Sequence, residues 1–168
     1  MRTIQPFCDN WSFAKSAQIP ATLPAGWEAV TLPHTWNAVD GQDGGNDYWR
    51  GTAMYCKAFD RPELEAGGRA YLEFLGAAMT AEVWLNGRKL ACHEGGYSTF
   101  RVDITDALAE ENLLCVSVDN SDNDRVYPQK ADFTFYGGLY RGVNLIVVPE
   151  SHFELGYCGT PGIKVTPV

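Results

Sequence analysis

Positive charge is scarce in this chain, and what there is lies scattered. Lys and Arg number 13 against 21 Asp and Glu, a formal net charge of −8. A nucleic-acid partner needs a basic footprint to neutralise phosphates, and none is present. The same shortage disfavours an anionic membrane surface. No apolar stretch approaches the length of a membrane span. The first residues, MRTIQPFCDNWSF, lack the continuous apolar run of a secretory leader. CxxC spacing is missing as well, and the five cysteines, Cys8, Cys56, Cys92, Cys115 and Cys158, are widely spaced and odd in number. That excludes a disulfide framework and a zinc pattern. Free thiols filling core space are expected instead, and with them a reducing, cytoplasmic setting. Neither a dinucleotide fingerprint nor a phosphate loop occurs, so nucleotide binding has no foothold.

What is there is apolar and aromatic. Hydrophobic residues make up 45% of 168, and aromatics 12%, enough for one domain with a real core. Residues 1–50 read as an irregular wrapping segment, broken by Pro20, Pro24 and Pro33, with a polar loop DGQDGGND at 40–47. From Tyr48 onward the hydrophobic period is two. Strands are predicted over 54–59, 70–75, 81–85, 88–93, 100–104, 114–118 and 143–148, with 132–136 extended. Asn86-Gly87 between two of them is a strong hairpin signal, because both residues accept positive φ. Thr105-Asp106 is expected to cap a short helical turn reaching Glu110. Many short strands with long excursions between them predict an all-β, jelly-roll-like antiparallel sandwich. Residues 163–165 read as the start of a further strand at the very end of the chain, which is the expectation for a piece of a longer protein.

The chemistry of an active site is sparse. Glycoside hydrolysis uses two carboxylates with divergent settings. Asp60, Glu63, Glu65, Glu110, Glu111 and Asp122 occupy turns and outward positions, so solvated surface charge is the better reading. No nucleophile has a suggestive histidine context. His34, His93 and His152 lie in unrelated segments, and His34 in LPHTW reads as a hydrogen-bonded structural residue. DNSDND at 119–124 has half the polar pattern of a calcium loop without its Gly and Glu, so a plain turn is favoured. Residues 132–141, DFTFYGGLYR, hold the ingredients of a sugar contact. Alternation puts Asp132, Thr134 and Tyr136 on one face and Phe133 and Phe135 on the other. The phenylalanines read as core. Asp132 divides evenly between a turn cap and a carboxylate that accepts hydrogen bonds from sugar hydroxyls.

Taken together, LPHTWN (32–37), YLEFLG (71–76), AEVWLNG (81–87), HEGGYSTF (93–100), VDIT (102–105), LCVSVDN (114–120) and DFTFYGGLYRGV (132–143) resemble the N-terminal sugar-binding domain of glycoside hydrolase family 2. That family comprises β-galactosidases, β-glucuronidases and β-mannosidases. The segments follow the family's order over most of residues 1–150. The resemblance implies a non-catalytic sandwich at 1–150, with 151–168 a linker and the start of an immunoglobulin-like second domain. A TIM barrel carrying the two catalytic glutamates of a retaining mechanism would lie beyond, so this chain alone is expected to be inactive. It implies that Asp132 contacts a sugar hydroxyl, which tips the even reading toward function. In some β-galactosidases the same aspartate also ligates a monovalent cation shared with the barrel; a divalent cation in the parent enzyme is the other expectation, and no cofactor is expected in this chain. A second sugar contact is carried to Asn46 or Asp47 in the 40–47 loop. The implied partners are a carbohydrate, the remaining domains and a homo-oligomer. A β-galactoside is the preferred substrate on the look of the 132–143 segment, with a β-glucuronide the alternative. A free-standing carbohydrate-binding module is the runner-up, for which Trp49 and Tyr97 would supply an aromatic platform.

Overall fold

The computed structural model describes residues 1–38, 48–127, 135–157 and 159–167. Ten strands run in chain order: β1 (Thr3–Pro6), β2 (Trp11–Ala14), β3 (Glu28–Val30), β4 (Thr52–Asp60), β5 (Arg69–Phe74), β6 (Thr80–Leu85), β7 (Arg88–Glu94), β8 (Phe100–Asp103), β9 (Glu111–Asp119) and β10 (Val143–Val148). They form two antiparallel sheets, one of four strands in the order β1-β10-β5-β8 and one of six in the order β3-β2-β4-β9-β6-β7. The sheets pack face to face as the predicted sandwich. Among the described residues no helix is long and apolar enough to cross a membrane.

Period-two alternation locates the core. Leu72 and Phe74 on β5, Val83 and Leu85 on β6, Val102 on β8, and Leu114, Val116 and Val118 on β9 all turn into one buried cluster. The six carboxylates assigned to the surface are exposed. β6 and β7 meet at Asn86-Gly87, with φ of 52° and 78°. These values suit a hairpin turn that follows the twist of its strands.

β4 and β9 depart from half-burial. They are the two central strands of the six-stranded sheet, paired over their whole length from Thr52↔Asp119 to Asp60↔Glu111. Their inner residues Ala53, Tyr55 and Val116 join the main core. Their outer residues Met54, Cys56 and Cys115 form a second buried cluster beneath Trp27, Trp84 and Leu113. Such double burial explains the nearly continuous apolar sequence of β4.

Three expectations need correction. The segment 1–50 is not wholly irregular: it contributes β1, β2 and β3. β1 lies at a sheet edge and is exposed at all four positions, so no apolar alternation marks it. Its Pro6 is tolerated because an edge strand need not donate outward. The helical turn is shorter than expected, a 3-10 turn over Thr105–Ala107. Its N-cap residue is Ile104, with no side-chain cap; one residue earlier, Asp103 Oδ1 accepts from the Thr105 N–H at 3.0 Å and the Thr105 hydroxyl at 2.7 Å. Residues 163–165 form no strand, and Ile163 and Val165 are exposed.

The tail is nevertheless fastened to the sandwich. Leu155 is buried against Ile146, Val148 and Tyr71 on the outer face of the four-stranded sheet. Beside it, Arg101 Nη1 donates to the Leu155 carbonyl at 3.1 Å and to the Thr160 carbonyl at 2.6 Å. The same guanidinium pairs with Glu73 at 2.7 Å, and both side chains are nearly inaccessible, at 6% and 9%. Asn144 completes the group by donating to the other Glu73 oxygen at 2.8 Å.

Candidate functional site

The three residues singled out for sugar contact, Asn46, Asp47 and Asp132, lie outside the described residues. Their loops are known through the chain on either side, and here the structure is informative. Residues 48–51 lead from the first loop into β4. Residues 135–138 lead out of the second toward β10. These two stems are joined directly and through a pair of buried asparagines.

Asn37 and Asn120 are both fully buried. Asn37 Oδ1 accepts from the Gly137 N–H at 2.8 Å and from Asn120 Nδ2 at 3.3 Å. Asn37 Nδ2 and Asn120 Nδ2 both donate to the Trp49 carbonyl, at 3.1 and 3.2 Å. Asn120 Oδ1 accepts from the Gly51 N–H at 2.9 Å. An amide carries both donors and an acceptor, so two amides can satisfy the backbone of both stems without burying a charge. The Tyr48 hydroxyl donates to the Phe135 carbonyl and closes the gap from the other side. Thus the two loops named on sequence grounds spring from one fused base.

Glycine is required at the second stem. A Cβ on Gly137 would sit 2.4 Å from the Trp36 ring and 2.7 Å from Asn120 Nδ2. Gly138 has φ of 115°, and a Cβ there would meet the Tyr55 hydroxyl at 2.6 Å. The Gly138 backbone bridges Ala78, with N–H to carbonyl distances of 3.2 and 3.1 Å. The stem is therefore pressed flat on the core rather than free to swing.

His34 has the structural role expected of it. Its Nδ1 lies 2.8 Å from the Tyr55 hydroxyl, and its backbone N–H donates to Leu139 at 2.9 Å. Burial holds its pKa below the ordinary histidine value, against a weaker opposing pull from Glu28. His93 is similar. It stacks on Phe100 at 4.1 Å and bonds Ser98 Oγ at 3.0 Å, and burial again lowers its pKa. The same His93 Nε2 also lies 3.1 Å from the Gly95 carbonyl, which accepts only from a protonated nitrogen, so the imidazole is held by backbone rather than poised as a base toward Ser98. Among the described residues no group of three or more His, Cys, Asp or Glu is placed to hold a metal ion. The 119–124 segment spends its side chains on turns: Asp119 accepts from the Ser121 N–H and Asn123 from the Arg125 N–H.

A general acid needs a carboxyl whose pKa is displaced upward. Among the described residues, the carboxyls that are displaced go the other way. Burial works against ionisation of Asp103 and Asp119, but hydrogen bonds from Arg69 and Thr105, and from Thr52 and Ser121, outweigh it. Arg125 holds the Glu94 carboxyl down. Asp119 lines a cleft of about 660 Å³ together with Glu82, Asp122 and Asp124. Glu82 is paired with Lys89, and Asp122 with Arg50. Asp119 is held instead by hydrogen bonds from the Thr52 hydroxyl and the Ser121 N–H.

The aromatic platform is only half present. Trp49 packs edge-on against Trp36 at 5.4 Å and is partly buried. Tyr97 is half exposed and lines a cleft of about 480 Å³ with Tyr127, Met79 and Gly96. Asn37, Asn120 and Tyr48 were not marked as site residues by sequence. An asparagine in a polar segment looks like any turn former, and only burial distinguishes these two.

Known proteins resemble this chain in sequence and in fold. The family described as "Glycosyl hydrolases family 2, sugar binding domain" matches residues 27–149. A β-glucuronidase of Bacteroides fragilis is 37% identical over 158 residues, covering 92% of this chain and 22% of that protein. A β-galactosidase of Thermoanaerobacter pseudethanolicus is 30% identical over 135 residues, covering 77% and 18%. Among solved structures, an FMN-binding β-glucuronidase from Facaelibacterium prausnitzii L2-6 superposes with a TM-score of 0.87 at 51% identity, over 99% of this chain and 26% of that one. A Bacteroides uniformis β-glucuronidase gives 0.86 at 34% identity, over 96% and 20%. The chain spans about a fifth of the length of the curated relatives it matches. On its sequence and its fold, this chain belongs to glycoside hydrolase family 2, as that family's sugar-binding domain.

Proposed function

We propose that this domain forms one wall of the active site of a retaining β-glycosidase, with the catalytic glutamates supplied by a barrel elsewhere in the longer protein. The observation that carries the reading is the fused base of the two loops. Asn37 and Asn120 tie residues 48–51 to residues 135–138, so a sugar contact from Asn46 or Asp47 and one from Asp132 would rise from neighbouring points of one rigid frame. Preorganised donors and acceptors contribute most when they do not have to be ordered on binding. Alone, the domain owns part of a site and binds sugar weakly. A cation shared with the barrel would take Asp132 as one ligand and the rest from the barrel. A cytoplasmic location and assembly into a homo-oligomer belong to the same reading.

The substrate we propose first is a β-glucuronide, because relatives at 51% and 37% identity carry the name β-glucuronidase. A β-galactoside is the second reading, supported by the 132–143 segment and by relatives at 30% and 37% identity named "Beta-galactosidase" and "putative beta-galactosidase". The test uses the full-length enzyme and its D132A variant on aryl β-glucuronide and aryl β-galactoside. Loss of a charged hydrogen bond to a substrate hydroxyl should lower kcat/KM about 10- to 100-fold on the true substrate. Unchanged turnover by D132A on both would remove Asp132 from the site.

A further inference from the structure

The outer face of the six-stranded sheet holds a feature that sugar binding does not use. Cys56 on β4 and Cys115 on β9 are direct cross-strand partners. Their sulfurs lie 3.0 Å apart, and both residues are buried, at 0% and 2% exposure. Directly opposed residues of an antiparallel pair have Cα atoms about 4.5–5.5 Å apart, within the span of about 4.4–6.8 Å that a disulfide bridges. The other described cysteines have no such neighbour: Cys8 is half-buried and lies against the Val143 carbonyl at 3.5 Å, and Cys92 is exposed on β7.

We propose that Cys56 and Cys115 are a redox modification site, which a peroxide converts reversibly to a disulfide stapling the two central strands. The chemistry balances with peroxide as the two-electron oxidant. The Cys115 thiolate attacks one peroxide oxygen, forming a sulfenic acid and releasing hydroxide. The Cys56 sulfur then attacks Cys115 Sγ. The S–O bond breaks, the S–S bond forms, and the oxygen leaves as water after taking up a proton. Overall, two thiols and one hydrogen peroxide give one disulfide and two waters. The order of events follows from the hydrogen bond between the sulfurs. That bond, with burial, pushes the Cys56 thiol up, while as acceptor Cys115 is the thiol brought down. A small neutral oxidant suits a pair covered by Trp27 and Trp84.

The staple would act on the frame under the site. β4 begins at Thr52, directly after the first loop stem, and β9 ends at Asp119, next to Asn120. The experiment treats the folded protein with hydrogen peroxide at neutral pH, then maps peptides without reduction and follows backbone amide exchange. The expected result is one intramolecular Cys56–Cys115 cross-link, reversed by dithiothreitol, with a higher Tm and slower exchange across residues 52–60 and 111–119. C56S should lose the cross-link, and C92S should keep it. Two outcomes overturn the proposal. One is oxidation of Cys92 while Cys56 and Cys115 stay reduced. The other is a cross-link that forms only at the rate of global unfolding.

Discussion

Two buried polar groups hold this domain's irregular segments, and they do it with opposite chemistry. Under the loops, Asn37 and Asn120 use neutral amides to bind three backbone groups of two stems, the Trp49 carbonyl and the N–H groups of Gly51 and Gly137. Under the tail, Arg101 and Glu73 use a full ion pair, with Asn144 as a third member. A neutral amide loses less on leaving water than a charge does, so the clamp under the loops needs no counter-charge. The ion pair fixes the tail firmly but makes each partner dependent on the other. The site side is thus built to present backbone accurately, and the tail side to resist release.

The largest effect should come from breaking the charged group. R101A leaves Glu73 buried with only Asn144 as partner and frees the carbonyls of Leu155 and Thr160. Removing one member of a buried pair costs about 3–5 kcal/mol, which denaturant unfolding would read directly. The double variant R101M/E73L should recover much of that loss, because two apolar side chains of similar volume remove the orphaned charge. If the double variant were no better than R101A, Arg101 would be acting through the tail carbonyls rather than through Glu73. In either variant the sugar site should be spared, with kcat of the folded full-length enzyme unchanged.

N120A probes the other side of the comparison. It strands the Gly51 N–H and removes a donor from the Trp49 carbonyl and from Asn37. Such losses amount to about 2–3 kcal/mol. The distinguishing readout is catalytic. In the full-length enzyme N120A should raise KM or lower kcat in the protein that remains folded, because both loop stems lose their common anchor. An N120A enzyme with reduced Tm and normal kinetics would show that the clamp is structural only.

The strand framework from Tyr48 onward was legible because a half-buried strand writes its face into the sequence. Val83 and Leu85, or Val116 and Val118, cannot alternate so regularly for another reason. β1 was illegible because it is exposed on every residue, and β2 and β3 because three or four residues carry too little alternation to count. The family segments pointed to two loops whose stems the structure joins. What joins those loops was invisible: Asn37 and Asn120 are separated by 83 positions, and nothing local in LPHTWN or VSVDN says that two amides meet. The same holds for Glu73 and Arg101. Alternation puts both on an outward face, and only the tail's return over that face buries them.

Acid should separate the two sides again, with the smallest effect of the set. His34 and His93 both have folded pKa values held below the ordinary histidine value by burial. Between the folded value and the unfolded value of about 6.5 the unfolded chain binds more protons. Stability from these neutral histidines is therefore complete above about pH 6.5 and declines as pH falls through their folded values. Asp103, Asp119 and Glu94 are depressed carboxylates, so their contribution is lost in a separate, lower window, below about pH 4. His34 bonds Tyr55, whose hydroxyl lies under Gly138, so mild acid should loosen the site side before the tail side. Tm measured from pH 7 down to about pH 5 should fall in the wild type, and the fall should flatten in H34Q/H93Q. Amide exchange at Gly137 and Gly138 should quicken over the same range, while exchange at Leu155 and Thr160 holds steady. An unaltered slope in the double variant would assign the acid sensitivity to the carboxylates instead.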